Sequence, residues 1–401
     1  MTQQLVSAKP STQDGGAALL SWLKTMRDTQ PVWRDEYGVF HVFRHADVVA
    51  VTSDFATYSS DISRIMPDAD PLSRDILSVI DPPLHRKLRR LVSTAFTPRT
   101  VTQLEPRVAE LGRELLDGIS SDQFDLITEF AYTLPVIVIA ELLGVPAGDR
   151  ELFRGWSERM LSKEFDDPVS MQFESDDADF RELVGTPMQQ MRDYLGAHCA
   201  DRRAKPREDL LTKLVQAEVD GDRLTDKQVV DFACLLLMAG HVSTTMLLGN
   251  TVLCMEDNPD IQPALRADRA LIPQAIEEVL RTRTPITIAS RITTTDVVIG
   301  DVAIPANSMV MPSLLSANHD ERAFPDPERF DLHRNSAQQL AFGHGIHFCL
   351  GAPLARTEGR IALELVLDRF KDIRVTPGAD VVYHREGLYG TKNLPVSVIR
   401  G

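Results

Sequence analysis

Apolar positions follow a helical period over most of this chain and an extended one only in short stretches towards its two ends. A short helix is predicted from Asp14 to just before Pro31. Val32 to Phe43 then reads as a small hairpin turning at Glu36-Tyr37-Gly38. Helical patterns dominate from Arg86 to Arg281, with Pro98, Pro106, Pro135, Pro146 and Pro168 marking helix starts and loops. A second β patch follows, Val297-Val298-Ile299, a turn at Gly300-Asp301, and Val302-Ala303-Ile304. A last helix covers about Ala352 to Phe370, and the tail to Gly401 is irregular and partly strand. The pattern predicts a mainly α protein with small β-sheets. The sheets from the two ends pair with each other, so residues 14–401 form one domain behind a flexible arm, residues 1–13.

No solenoid-period repeat, low-complexity tract or Gly/Ser-rich linker divides the chain. Length (401 residues) and a hydrophobic fraction of 43% allow a large core. The net charge of −15 argues against general nucleic-acid binding and reads mainly as solubility. The four cysteines, Cys199, Cys234, Cys254 and Cys349, form no CxxC pair and no disulfide framework. Met1 to Pro10 lacks an apolar signal region, and the apolar run Leu134 to Val145 is interrupted by Glu141 and is too short to span a bilayer. A soluble, reducing, cytoplasmic setting is expected.

Chemistry concentrates in Phe342-Gly343-His344-Gly345-Ile346-His347-Phe348-Cys349-Leu350-Gly351. Gly343, Gly345 and Gly351 permit a tight loop whose backbone approaches a flat ligand. Ala352-Pro353-Leu354-Ala355-Arg356 then opens a helix, with Pro in its first turn. Cys349 would sit at that helix's amino terminus, where partial positive charge and free N–H groups favour a thiolate. A thiolate so held is a good axial ligand for haem iron. A lone cysteine is otherwise most often a small buried hydrophobe. Zinc would need three more ligands, and only His344 and His347 are near.

The run Phe342 to Gly351 resembles the haem-binding loop of the cytochromes P450. Glu278-Val279-Leu280-Arg281 resembles that family's ExxR helix. Asp326-Pro327-Glu328-Arg329-Phe330 resembles the segment whose arginine completes a Glu–Arg–Arg cluster, and Asp81 to Arg90 resembles the C-helix entry of soluble bacterial members. The four occur in the family's order, and the resemblance runs from about Pro31 to the end. It implies the cytochrome P450 fold, haem b as cofactor, and Cys349 as metal ligand. Phe342, Gly343 and Gly351 would shape its loop. His85, Arg89, Arg291 and His347 would bind the haem propionates; His85 and Arg89 are four apart, hence on one helical face. Glu278, Arg281 and Arg329 are expected to form a structural network under the haem.

Thr225-Asp226-Lys227-Gln228 fits a capping box that starts a helix running to Asn258-Pro259, about 50 Å long at 1.5 Å per residue. Its middle, Leu237 to Thr245, contains Gly240 followed by hydroxyl residues, where a helix can open and admit water. In the resembled family this groove, with Ala239 and Gly240, holds dioxygen, and an acid then an alcohol organise the proton supply. Here Val242 stands at the acid position and Ser243 at the alcohol position, with Thr244 beside it. Ser243 or Thr244 is therefore expected to carry the oxygen-side hydrogen bond, with protons arriving through water, His241 or a substrate hydroxyl.

The resemblance places the substrate against the loop after Tyr58, the segment from Met160 to Phe173, Leu236 and Ala239, Ile288 and Ala289, and Tyr389. It points to actinobacterial enzymes that hydroxylate or epoxidise polyketides, macrolides above all, with terpenoids, steroids or a carrier-bound amino acid as alternatives. No flavin or Fe–S motif appears in the chain. Electrons would come from an acidic ferredoxin and an NAD(P)H-dependent ferredoxin reductase, docking on a cationic face of Arg86, Lys87, Arg90, Arg99 and Arg356. A monomer is expected. A haem protein that binds ligand without turnover, a peroxide-driven enzyme and a haem-free helical interaction protein are the competing readings.

Overall fold

The computed structural model describes residues 9–67, 76–149, 152–153, 155–156, 186–384 and 387–401. Helix α1 (Ala17–Thr29) buries Leu19, Trp22, Leu23 and Met26, the i, i+3, i+4, i+7 stripe of an amphipathic helix. The hairpin β1 (Val32–Arg34) and β2 (Phe40–Val42) pairs Val32 with Val42. Strand β2 then lies parallel to β10 (Met309–Pro312), with Phe40 opposite Val310. Strand β10 continues antiparallel to β7 (Arg291–Thr293), and β7 to β3 (Tyr58–Ser59). This five-stranded sheet, in the order β1-β2-β10-β7-β3, joins the two ends of the chain. The patch singled out in the sequence, Val297 to Ile304, pairs only with itself as β8 (Val297–Ile299) and β9 (Val302–Ile304).

The helical mass comprises α2 (His45–Ser53), α3 (Leu84–Ala95), α4 (Pro98–Gly118), α5 (Thr133–Leu143), α6 (Thr186–Ala204), α7 (Leu210–Gln216), α8 (Asp226–Asp257), α9 (Ile261–Ala267), α10 (Ile272–Thr282), α11 (Leu314–Asn318) and α12 (Ala352–Arg369). Pro98 opens α4, and Pro135 stands in the first turn of α5. Pro106 departs from expectation, because it lies inside α4. It is on the exposed side, where water can satisfy the carbonyl that loses its partner. Pro168 lies outside the described residues. A three-stranded sheet of β11 (Phe370–Val375), β12 (Pro395–Arg400) and β4 (Gln123–Asp125) closes the far side. A two-stranded hairpin, β5 (Glu218–Val219) and β6 (Asp222–Arg223), turns through left-handed Asp220 and Gly221 just before α8.

The expected loose arm ends earlier than residue 13. Thr12 is buried, its hydroxyl donates to the His384 carbonyl at 2.5 Å, and the Gly15 N–H donates back to the Thr12 carbonyl.

Helix α8 is the axis of the core. Thr225 Oγ1 accepts the Gln228 N–H at 3.2 Å, and Gln228 Oε1 accepts the Thr225 N–H at 3.0 Å, which completes the capping box. Its composition alone would suit a membrane span, yet 67% of its most apolar window is buried inside the protein against the surrounding helices. Thr225→Ala should cost about 1 kcal/mol of stability, since one N-terminal N–H loses its acceptor. Urea denaturation of wild type and variant measures this.

Candidate active site

The Phe342–Gly351 loop is shaped from behind. Gly345 has φ +73°, and a Cβ there would come within 2.4 Å of the Thr52 carbonyl oxygen at the end of α2. Ser53 Oγ and His344 Nδ1 hydrogen-bond at 2.9 Å beside it. Gly343 is also left-handed, but the space in front of it is open. The Cys349 N–H donates to the Phe342 carbonyl at 2.9 Å, pulling the sulfur's end of the loop back under its start. The Arg356 guanidinium lies 4.5 Å from the Phe342 ring centroid and is itself held by Glu277 at 2.5 Å. Cys349 keeps accessible surface, unlike Cys199, Cys234 and Cys254. Two residues on, Gly351 caps α12. Burial pushes the Cys349 thiol up, against the pull of the Gly351 and Ala352 N–H groups and of Arg89 and Arg356. The helix entrance and the two guanidinium groups are the features that favour negative charge on this sulfur.

Below the loop, Glu278 and Arg281 are both wholly buried and form a bidentate pair, at 2.9 Å and 2.8 Å. The second guanidinium on Glu278 is Arg334, with Nε 2.9 Å from Oε1. This corrects the sequence reading, which gave that place to Arg329. The Arg329 side chain is exposed, and the residue contributes only its carbonyl, which accepts from Arg334 at 3.0 Å and Arg281 at 3.4 Å. Ser336 Oγ donates to Glu278 at 3.0 Å, and Arg281 Nη1 donates to the Asn318 carbonyl at 2.8 Å. Burial opposes the charge of Glu278, but the two arginines outweigh it and hold the carboxyl below its ordinary value. Asn318 Oδ1 accepts the Leu340 N–H at 2.7 Å, so the network reaches the start of the cysteine loop.

Four donors meet beside that loop. His85 and Arg89 come from one face of α3, Arg291 from the start of β7, and His347 from the loop. The two histidine rings lie 4.5 Å apart, edge to face. Arg89 Nη2 donates to the Phe348 carbonyl at 2.8 Å, and Arg291 Nη1 to the Ser290 carbonyl at 2.7 Å. Asp81 accepts the Ser60 N–H at 3.0 Å and ties the chain just ahead of α3 to β3, the neighbour of β7. Burial, then Arg291, His85 and Arg89, push His347 down to about 3; burial and Arg89 lower His85. The Nε2 atoms of His85 and His347 are buried without a partner among the described residues. A crowded positive cluster with unpartnered donors fits a ligand that brings anionic oxygens, which is what two haem propionates supply.

Helix α8 runs unbroken through Gly240, so the expected opening of its hydrogen-bond ladder is absent. Gly240 instead lets α5 pack closely, since a Cβ would lie 3.3 Å from Ile139. What the middle of α8 does present is a partly accessible strip, Leu235, Met238, Ala239, Val242 and Ser243, at one-face spacing, with Gly240 beside it. Ser243 Oγ makes a long bond to the Ala239 carbonyl, 3.3 Å. Thr244 is buried to 3% and bonded to the Gly240 carbonyl, roughly 100° round the helix. His241 points into the core against Tyr132 with its Nδ1 on the Leu237 carbonyl, and burial lowers it to about 4. Neither Thr244 nor His241 therefore shares the open strip.

The chain matches the family described as Cytochrome P450 over residues 42–383. It belongs to that family. This P450 is 47% identical over 382 residues to Erythromycin C-12 hydroxylase of Saccharopolyspora erythraea, covering 94% of each chain. It is 43% identical over 389 residues to Cyclomarin C epoxidase CymV of Salinispora arenicola, covering 96% of this chain and 97% of that enzyme. The structure of ligand-free cytochrome P450 TbtJ1 superposes with a TM-score of 0.90 at 50% identity, over 98% of this chain and all (100%) of the other. The P450 is thus a haem-iron monooxygenase of a family that takes electrons from redox partners and acts on small hydrophobic molecules.

Among the expected substrate contacts, Ala239 is exposed and Ile288 and Ala289 are half-buried. Ile288 packs with Ile62 and Ile65, from the loop after Tyr58, on a cluster that includes Ile292 and Met309. Leu236 is buried in the core of the P450, one step off the open strip. Tyr389 departs from that expectation and is buried in packing. It is 2% exposed, stacks on Arg283, and donates its hydroxyl to the Gly15 carbonyl at 2.9 Å, so it anchors the amino-terminal segment. Met160 to Phe173 lies outside the described residues. Sequence reading missed Leu235 and read Val242 only as the residue at the acid position; extending the helical period from Ala239 would have put both on the open strip. It also missed Ile286, an exposed apolar side chain next to the Leu388 bridge. Arg334 carried no signal, because the irregular chain after Phe330 has no period to place it.

Arg334→Ala should lose about 3–5 kcal/mol, because it strands part of a buried charge, whereas Arg329→Ala should stay within about 0.5 kcal/mol. Because the Glu278 carboxyl is depressed, its contribution is present at neutral pH and lost as pH falls below the ordinary carboxylate value of 4.5. Denaturant melts of both variants at pH 7 and pH 4 check the order and the sign.

Proposed function

We propose that this P450 inserts one oxygen atom into a C–H or C=C bond of a macrolide or other polyketide. Haem b would be held by Cys349, with His85, Arg89, Arg291 and His347 on its propionates, and electrons would arrive from an acidic ferredoxin and an NAD(P)H-dependent reductase. The enzyme would act as a monomer in the cytoplasm. The observation that carries the haem assignment is the pair of unpartnered, buried histidine Nε2 atoms set between two arginines beside an accessible cysteine. The substrate class is supported by the likeness to relatives named for erythromycin and cyclomarin C, and by the partly accessible apolar strip on α8.

When bound, the haem iron supplies oxygen activation by one-electron steps. The chain's own residues supply the rest. Gly351 and Ala352 N–H groups, with Arg89 and Arg356, stabilise negative charge on the Cys349 sulfur. The Glu278–Arg281–Arg334 network fixes where that sulfur stands. On α8, Ala239 and Val242 offer an apolar wall, and Ser243 offers its one hydroxyl. Its 3.3 Å bond to the Ala239 carbonyl is weak enough to exchange for water, which lets Ser243 pass or accept a proton without a neighbouring acid. Ile286, Ile288 and Ala289 orient a hydrophobic substrate by contact.

With haem loaded, macrolactones should produce a low- to high-spin absorbance shift, and O2, NADPH, surrogate ferredoxin and reductase should give an oxygenated product. Cys349→Ser should abolish the red-shifted Soret band of the ferrous carbon-monoxide complex. Spectral binding without product points to a ligand-binding protein, and product from peroxide alone to a peroxygenase. Ser243→Ala should divert more reductant to peroxide or water per product formed, because a positioned proton donor is lost. Thr244→Ala should leave that ratio near wild type. Equal uncoupling by both variants would remove Ser243 from its role.

A further inference from the structure

The β5–β6 hairpin touches α3 through charge. Lys87 Nζ lies 2.6 Å from Asp222 Oδ1, and Arg90 Nη2 lies 2.7 Å from Asp220 Oδ2. Both pairs are exposed: the side chains keep 43% and 51% of their surface in the first and 55% and 77% in the second. The cleft between the elements is lined by Arg89, Arg90, Ser93, Thr94 and Val219. Arg89 connects that cleft to the Phe348 carbonyl, next to Cys349. Two of the cations expected to receive an acidic electron donor are therefore already holding carboxylates of this same chain. A third, Arg356, is held by Glu277. Arg86 and Arg99 are exposed and make no ion pair among the described residues.

We propose that the hairpin carboxylates of Asp220 and Asp222 stand in for the carboxylates of the electron-donor protein. They occupy Lys87 and Arg90 in the free enzyme, and an acidic iron–sulfur donor has to displace them to dock. The inference rests on the reading that the α3 face receives the donor. Its geometry is that of a removable cover. Asp220 and Gly221 form a two-residue turn at left-handed φ values of 55° and 81°, so the acids project from the tip of a short ribbon. Exposed pairs of this kind hold weakly and are screened by salt, so a multivalent acidic partner can outcompete them. The consequence is specificity: a donor with one or two carboxylates gains little over the hairpin, and a donor with an extended acidic patch gains the whole face.

The test measures binding of oxidised [2Fe–2S] ferredoxin to the haem-loaded enzyme by biolayer interferometry across a salt series. Asp220→Asn with Asp222→Asn should tighten Kd about three- to tenfold at low ionic strength and steepen its salt dependence, the gain vanishing once the Debye length falls to about 3 Å. Lys87→Glu with Arg90→Glu should weaken Kd by at least as much. If the Asn pair leaves Kd unchanged or weaker while the Glu pair weakens it, the hairpin is no stand-in and the docking face survives. If the Glu pair changes nothing, the donor docks elsewhere and the docking reading falls with the inference. The carbon-monoxide spectrum of each variant establishes that haem loading is intact.

Discussion

A single buried carboxylate organises the cysteine side of this P450. Glu278 is wholly excluded from solvent and receives Arg281, Arg334 and Ser336. A charge so placed is tolerable only when all its partners arrive together. Those partners come from the same helix, from the irregular chain after Phe330 and from the segment that leads into the cysteine loop. Arg281 also grips the Asn318 carbonyl, and Asn318 in turn holds Leu340. Satisfying one ion therefore fixes the entry to the loop, and with it the direction of the sulfur.

The second constraint is the opposite of satisfaction. His85, Arg89, Arg291 and His347 crowd positive and donor groups, with Asp81 as a carboxylate acting on His85 and Arg291, and burial together with the neighbouring cations lowers the basicity of both histidines. The cluster is assembled by β3 and β7, which bring Arg291 to the start of α3. The Nε2 atoms of His85 and His347 remain without a partner among the described residues. On the surface of the same helix the cations are balanced from inside, by Asp220 and Asp222. One helix, α3, thus turns its buried edge to the cysteine loop's His347 and its exposed edge to the hairpin carboxylates.

Much of this was legible in the residues. Pro and Gly positions, the Thr225–Gln228 box and the two predicted hairpins located α1, α8, α12, β1–β2 and β8–β9 within a few residues, because capping and turn chemistry are local. The cysteine loop was legible because its glycines, its histidine and the following Pro-initiated helix sit within one short run. Pro106 misled, since whether a helix ends at proline depends on which side meets water. Arg329 misled for a similar reason. Two arginines five residues apart in irregular chain are equivalent in sequence, and only the path of the backbone chooses which guanidinium reaches Glu278.

The amino-acid sequence by itself determined the helical class, the cap of α8, the cysteine at a helix entrance and the face that His85 and Arg89 share, all of which follow from periodicity and neighbours a few residues apart. The tertiary structure alone decided that Arg334 completes the buried network, that Tyr389 anchors the amino-terminal segment, and that Ser243 lies on the open strip while Thr244 is turned into the core. Those outcomes depend on contacts between elements far apart in the chain, where burial and charge are settled by packing, and no local pattern encodes them.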